Sequence, residues 1–143
     1  MKTKIKKTAG LIIIIFLGLN SVNAQLNISR ADIINEKGHN YTSGTTEKGV
    51  RFITYENERQ TKASGKYTQM EIYFFGILYG GTEIANKMVI IEPATETNTY
   101  VNFFRSIHVE IGYRQWKDSE LENLTYKIEM KGEYCLIIIE YIN

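Results

Sequence analysis

The chain is poor in the residues that staple, kink or ligate. Among 143 residues there are one cysteine, one proline and two histidines. A lone Cys135 cannot close an internal disulfide, and it sits in the apolar run Tyr134–Ile142, where it reads as a small buried hydrophobe. His39 and His108 are 69 positions apart. A catalytic zinc site uses about three protein ligands and a structural site about four, so no metal site is expected. One proline leaves no proline-rich linker, and no repeat with a period of ~20–50 residues indicates a solenoid. No apolar stretch reaches the ~20 residues needed to cross a bilayer as a helix.

What is present begins with an address. Lys2, Lys4, Lys6 and Lys7 precede the apolar run Ala9–Leu19, and Val22 and Ala24 follow as small residues. This is the pattern of a secretory signal peptide over residues 1–24, cleaved after Ala24. No cysteine follows the run, so a lipid anchor is not indicated. The remaining residues 25–143 form a single β-rich domain, secreted or periplasmic, with no transmembrane segment after cleavage. Removal of the four lysines lowers the basic count from 17 to 13 against 16 acids, for a net charge of about −3. A weakly acidic domain has no electrostatic reason to bind nucleic acid. Abundant Ile, Asn and Lys, together with the form of the signal, suggest a bacterial source.

Ten Tyr, six Phe and one Trp supply large side chains for a core. Several segments alternate with period two, the signature of half-buried strands. Ser106–Trp116 is the clearest, with Ile107, Val109, Ile111 and Tyr113 on one side. Leu124–Met130 follows the same rule, and Tyr67–Phe75 sets Met70, Ile72 and Phe74 against Gln69 and Glu71. Val50–Glu56 and Lys87–Glu92 are shorter strands; Ile28–Ile34 and Tyr100–Phe104 are weaker ones. Tyr134–Ile142 is apolar on both sides and belongs in the middle of its sheet, joined through Gly132 to the preceding strand as a hairpin. No 11-residue stretch carries a helical stripe, and only Asp118–Asn123 has room for a helical turn. Seven or eight short strands separated by polar turns predict an all-β antiparallel sandwich, immunoglobulin-like or jelly-roll-like, with a small β-barrel as the alternative.

Motifs for chemistry are incomplete. Ala63-Ser64-Gly65-Lys66 lacks the first Gly and the following Ser/Thr of a phosphate-binding loop, so it reads as a turn. Ser64-Gly65-Lys66-Tyr67 is one residue too short for the Ser-Gly-x-x-Tyr motif of periplasmic lysozyme inhibitors, and no family is identified. Asp118, Glu120, Glu122 and Glu129 fall at calcium-loop spacing, but Asn123 takes the Gly position, leaving an acidic solvated turn. No Gly-x-Ser-x-Gly elbow is present. His39 is a loop residue.

One constellation remains. The outer face of the 106–116 strand reads Ser106, His108, Glu110, Gly112, Arg114 and Trp116. In an extended strand these stand in one row about 7 Å apart. Trp and Arg are enriched at binding hot spots, so His108, Glu110, Arg114 and Trp116 are the candidate ligand-binding residues. Tyr55 and Tyr73, if exposed on neighbouring strands, extend the patch. The expectation is a non-catalytic exported module, without cofactor or metal, that recognises a protein: an envelope component, or a secreted enzyme or toxin it inhibits. A carbohydrate-binding module with Trp116 as stacking platform is the alternative, and a small hydrolase using His108 or His39 comes third.

Overall fold

The computed structural model describes residues 26–78 and 80–142. The expected signal segment, residues 1–24, lies outside them.

Eight antiparallel strands follow one another as β1 (Thr42–Thr45), β2 (Arg51–Thr61), β3 (Gly65–Ile77), β4 (Glu83–Pro93), β5 (Val109–Gly112), β6 (Gln115–Lys117), β7 (Leu124–Lys131) and β8 (Tyr134–Tyr141). The strands expected at 50–56, 67–75, 87–92, 124–130 and 134–142 are therefore present, mostly longer than their apolar pattern. All eight join one unclosed sheet in the order β1-β2-β3-β4-β8-β7-β6-β5. A mostly β body is as expected. The division into two sheets that a sandwich requires is not made by the hydrogen bonding, and the edges β1 and β5 do not meet to close a barrel. Instead two four-stranded meanders join along β4 and β8, so β8 is central, as its two apolar sides demand.

Two helices appear where the sequence suggested weak strands. Helix α1 spans Arg30–Lys37, with the Ser29 hydroxyl accepting from the Asp32 amide at 3.1 Å. That cap satisfies one of the orphan amides of the first turn and starts the helix. Gly38, at φ 93°, ends it by donating to the Ile34 carbonyl. Helix α2 spans Thr97–Ile107, after Pro93 and the 3-10 turn Ala94–Glu96. Thr97, Val101 and Phe104 recur at helical spacing and are its buried residues, a stripe that a strict period-two reading overlooks. Asp118–Asn123 forms no helix.

Both helices bury their apolar side chains on one face of the sheet. Ile33 from α1 and Val101 and Phe104 from α2 pack with Ile53, Tyr55, Tyr73, Phe75, Met88, Ile90, Trp116, Tyr126, Ile128, Ile137 and Ile139. The register explains the set, because cross-strand partners share a face: Ile53 opposite Tyr73, Tyr73 opposite Met88, Met88 opposite Ile139, Ile139 opposite Tyr126 and Tyr126 opposite Trp116. Tyr55 and Tyr73 thus lie in this core, at 5% and 0% exposure, and extend no surface patch. In β3 the faces are the reverse of the usual rule: Gln69 and Glu71 point to the covered side, while Met70, Ile72 and Phe74 are half-buried on the other.

Candidate interaction surface

The strand expected over 106–116 is three pieces. Ser106 and Ile107 end α2, Val109–Gly112 is β5, and the chain reverses at Tyr113 and Arg114 before β6. Arg114 takes a positive φ of 52° at this reversal. The row of six residues therefore does not exist. Glu110 and Trp116 are cross-strand partners instead of distant members of one line. A reversal this short leaves the period-two alternation running through it, so the pattern conceals the turn.

The four candidate residues divide into two pairs. Trp116 and His108 enter the core. Trp116 is fully buried, its ring 5.3 Å from that of Phe104, so it offers no platform to a sugar. His108 caps α2 with its amide on the Phe104 carbonyl at 2.8 Å, and its side chain is 5% exposed. The imidazole stacks on Tyr126 with centroids 4.3 Å apart. Its Nδ1 is 3.7 Å from Asp118 Oδ2, too long for a hydrogen bond. Asp118 itself is turned inward, contrary to the solvated turn expected: Oδ1 accepts the Glu120 and Leu121 amides at 2.8 Å each, and Oδ2 accepts the Tyr126 hydroxyl at 2.7 Å. Burial keeps the His108 pKa below its ordinary value, with Asp118 pulling the other way. Among the described residues, no group of three His, Cys, Asp or Glu is arranged to hold a metal ion.

Glu110 and Arg114 stay outside, on the β5–β6 hairpin. Arg105 of α2 reaches Glu110 through Nε at 3.3 Å, and the Arg114 guanidinium lies over the Tyr113 ring at 5.1 Å from its centroid. Around them Val109 is 58% exposed, Ile111 56% and Tyr113 81%. β5 is also the terminal strand of the sheet. The hairpin thus combines large exposed apolar side chains, a flanking ion pair and an edge of backbone amides and carbonyls available to another chain.

The sequence reading missed a set of buried polar groups on the covered face. Glu92 is 2% exposed; its Oε1 accepts the Gln69 amide at 2.5 Å and the Tyr100 hydroxyl at 2.6 Å. Glu96 is also buried and accepts from the Ser64 hydroxyl at 2.6 Å and from Thr61. Glu71 meets Lys37 Nζ at 2.6 Å, with the Tyr73 hydroxyl at 3.2 Å. Burial, reinforced by Glu92, pushes the Tyr100 and Tyr67 phenols up, and burial with Glu71 does the same for Tyr73, so all three stay protonated donors. These bonds tie α1, α2 and the tip of the β2–β3 hairpin to the sheet. Glu92 ends the Val and Ile run within β4 and Glu96 follows that strand, and acids there are the signal a sequence reader had for them.

Among the described residues, the opposite face carries no helix. Its register sets Thr54, Ile72, Val89, Ile138 and Lys127 in one row. Glu56, Met70, Ile91, Leu136 and Glu129 form the next, and Phe52, Phe74, Lys87 and Glu140 a third. Val89 is buried and the other apolar members are half-buried by one another, with the charges standing around them.

No family model matches the chain, and neither the curated proteins nor the solved structures contain a match to it.

Proposed function

We propose that this chain is an exported, non-catalytic binding module that recognises a protein partner through the β5–β6 hairpin. The observation that carries the reading is the exposure of Val109, Ile111 and Tyr113 on a terminal strand, beside Glu110 and Arg114. Exposed apolar side chains of this size normally mark an interaction surface when they cluster. Tyr and Arg are the residue types that anchor such surfaces. An extended segment of the partner pairs with the free edge of β5 by main-chain hydrogen bonds, while Ile111 and Tyr113 supply the side-chain contacts. The partner is an envelope component, or a secreted enzyme or toxin that the hairpin occupies. The alternative of a sugar-binding module is less well supported, since its platform residue Trp116 is in the core. A hydrolase built on His108 and Asp118 has both groups only 5% exposed.

The test is a capture experiment with the immobilised protein against envelope extract and culture medium of its source. An Ile111→Ser/Tyr113→Ala variant runs beside it, both positions being exposed and away from the core. A protein held by the wild type and lost by the variant supports the hairpin as the site. Equal capture by the two removes the hairpin from the proposal. If nothing is captured, the protein-partner reading fails.

A further inference from the structure

β8 is apolar on both sides, yet the helices cover only one face of the sheet. On the other, Phe52, Met70, Ile72, Phe74, Val89, Ile91, Leu136 and Ile138 are contiguous across β2, β3, β4 and β8. The Phe52 and Phe74 rings meet across the strands at a tilt, with centroids 5.7 Å apart, and Val89 is only 7% exposed. Among the described residues no further layer lies on this face. A sheet with an apolar face buries it against another layer, and the commonest partner for a sheet is a second sheet.

The rim says which sheet. On the β2 margin stand Glu56 and Glu58; on the β6–β7 margin stand Lys117, Lys127 and Lys131. Lys127 is satisfied by Glu129 at 2.7 Å, and Lys87 pairs with Glu140 at 3.7 Å. Glu56, Glu58, Lys117 and Lys131 take part in none of the ion pairs among the described residues. The face thus has free acids along one margin, where the exposed Lys66 of β3 follows Glu58, free bases along the other, and an apolar centre crossed by the Lys87–Glu140 pair. These margins lie on either side of the β4–β8 seam, the middle of the sheet. A two-fold axis along that seam exchanges the margins and keeps each cross-strand row at its own height, so it lays Glu58 of one copy over Lys131 of the other, and does so twice. It also leaves the strands of the two sheets aligned, the ordinary geometry of a two-layer sandwich.

We infer that the uncovered face of the sheet is the contact surface for a second copy of this chain, the two sheets packing face to face as a symmetric dimer. Six strands about 4.8 Å apart and four rows about 6.7 Å apart give a footprint on the order of 800 Å² per copy, the size of an ordinary stable interface. The apolar centre excludes water, and the charged margins set the orientation. This surface is separate from the β5–β6 hairpin, so either assignment stands or falls alone.

The test is sedimentation velocity on protein expressed from the full 143-residue chain, over a range of concentrations. The expected result is a dimer whose dissociation constant rises by about tenfold or more when the facing base is reversed in Lys131→Glu. Adding Glu58→Lys to that variant restores the dimer, because the facing charges are then exchanged. Both positions are exposed, and circular dichroism confirms that each variant is folded. A protein that stays monomeric up to several hundred micromolar overturns the inference. So does a dimer indifferent to the first reversal, which would use another surface, or a double variant that fails to recover.

Discussion

The His108 imidazole lies flat on the Tyr126 ring, 16° from parallel, inside a core that also holds the Asp118 carboxylate. The arrangement makes the stability of the fold depend on pH. Burial disfavours the imidazolium and lowers the His108 pKa from 6.5, against the pull of Asp118. The unfolded chain then takes up that proton more readily than the folded one, so the contribution is intact above pH 6.5 and is lost as the pH falls below it. Asp118 acts in the same direction at lower pH. Burial raises its carboxyl, but the Leu121 and Glu120 amides, the Tyr126 hydroxyl and His108 together hold it below 3.8. Its contribution is present above that value and disappears as the pH falls through the folded-state pKa. Melting temperature measured against pH is expected to fall in two steps. His108→Phe keeps the ring stack and removes the upper one; persistence of that step in the variant would contradict the assignment.

Trp116 is a core residue. Its indole is surrounded by the aromatic cluster around Phe104 and is fully buried. Trp116→Ala is expected to destabilise the chain by about 3–5 kcal/mol in denaturant unfolding, the usual cost of removing a large buried ring. Trp116→Phe should cost much less, because Nε1 has no hydrogen-bond partner to lose. Equal stability of the Ala variant and the wild type would return Trp116 to the surface.

Tyr100 and Glu92 hold α2 against β4. Tyr100→Phe removes one of the two side-chain donors to Glu92 Oε1 and leaves Gln69 as the other. A buried acceptor deprived of a donor costs on the order of 1–3 kcal/mol. Hydrogen exchange should locate the loss at the first turn of α2, with the β5–β6 hairpin unchanged. Uniform exchange across the whole chain would show that the bond is not what seats the helix.

Lys37 performs the same task for α1. Its Nζ meets Glu71 at 2.6 Å and lies over the Tyr55 and Tyr73 rings at 5.5 and 5.8 Å from their centroids. Lys37→Met leaves the Glu71 carboxylate with the Tyr73 hydroxyl. The pair is partly accessible, so the expected loss is about 2 kcal/mol, below the ~3–5 kcal/mol of a fully buried pair. A double-mutant cycle with Glu71→Leu should return a coupling of that sign; additive effects would mean that the two charges act separately.

The alternation of apolar and polar residues by itself determined that the chain is mostly β, where five of the eight strands lie, and that β8 is central. Those properties follow from side chains on a pleated strand pointing alternately to two faces, which is a local rule. It could not determine which face is covered. In β3 the local rule favours burying Met70, Ile72 and Phe74, yet Gln69 and Glu71 are the pair beneath the helices. Donors from Asn57, Arg59, Lys37 and Tyr73, all distant or on the same face, make that burial tolerable. Nor could it detect the reversal at Tyr113 and Arg114, which splits His108, Glu110, Arg114 and Trp116 between core and surface. Whether a polar side chain is solvated or satisfied inside depends on partners brought from elsewhere in the chain. That decision, and with it the choice of surface left for a partner, belongs to the tertiary structure.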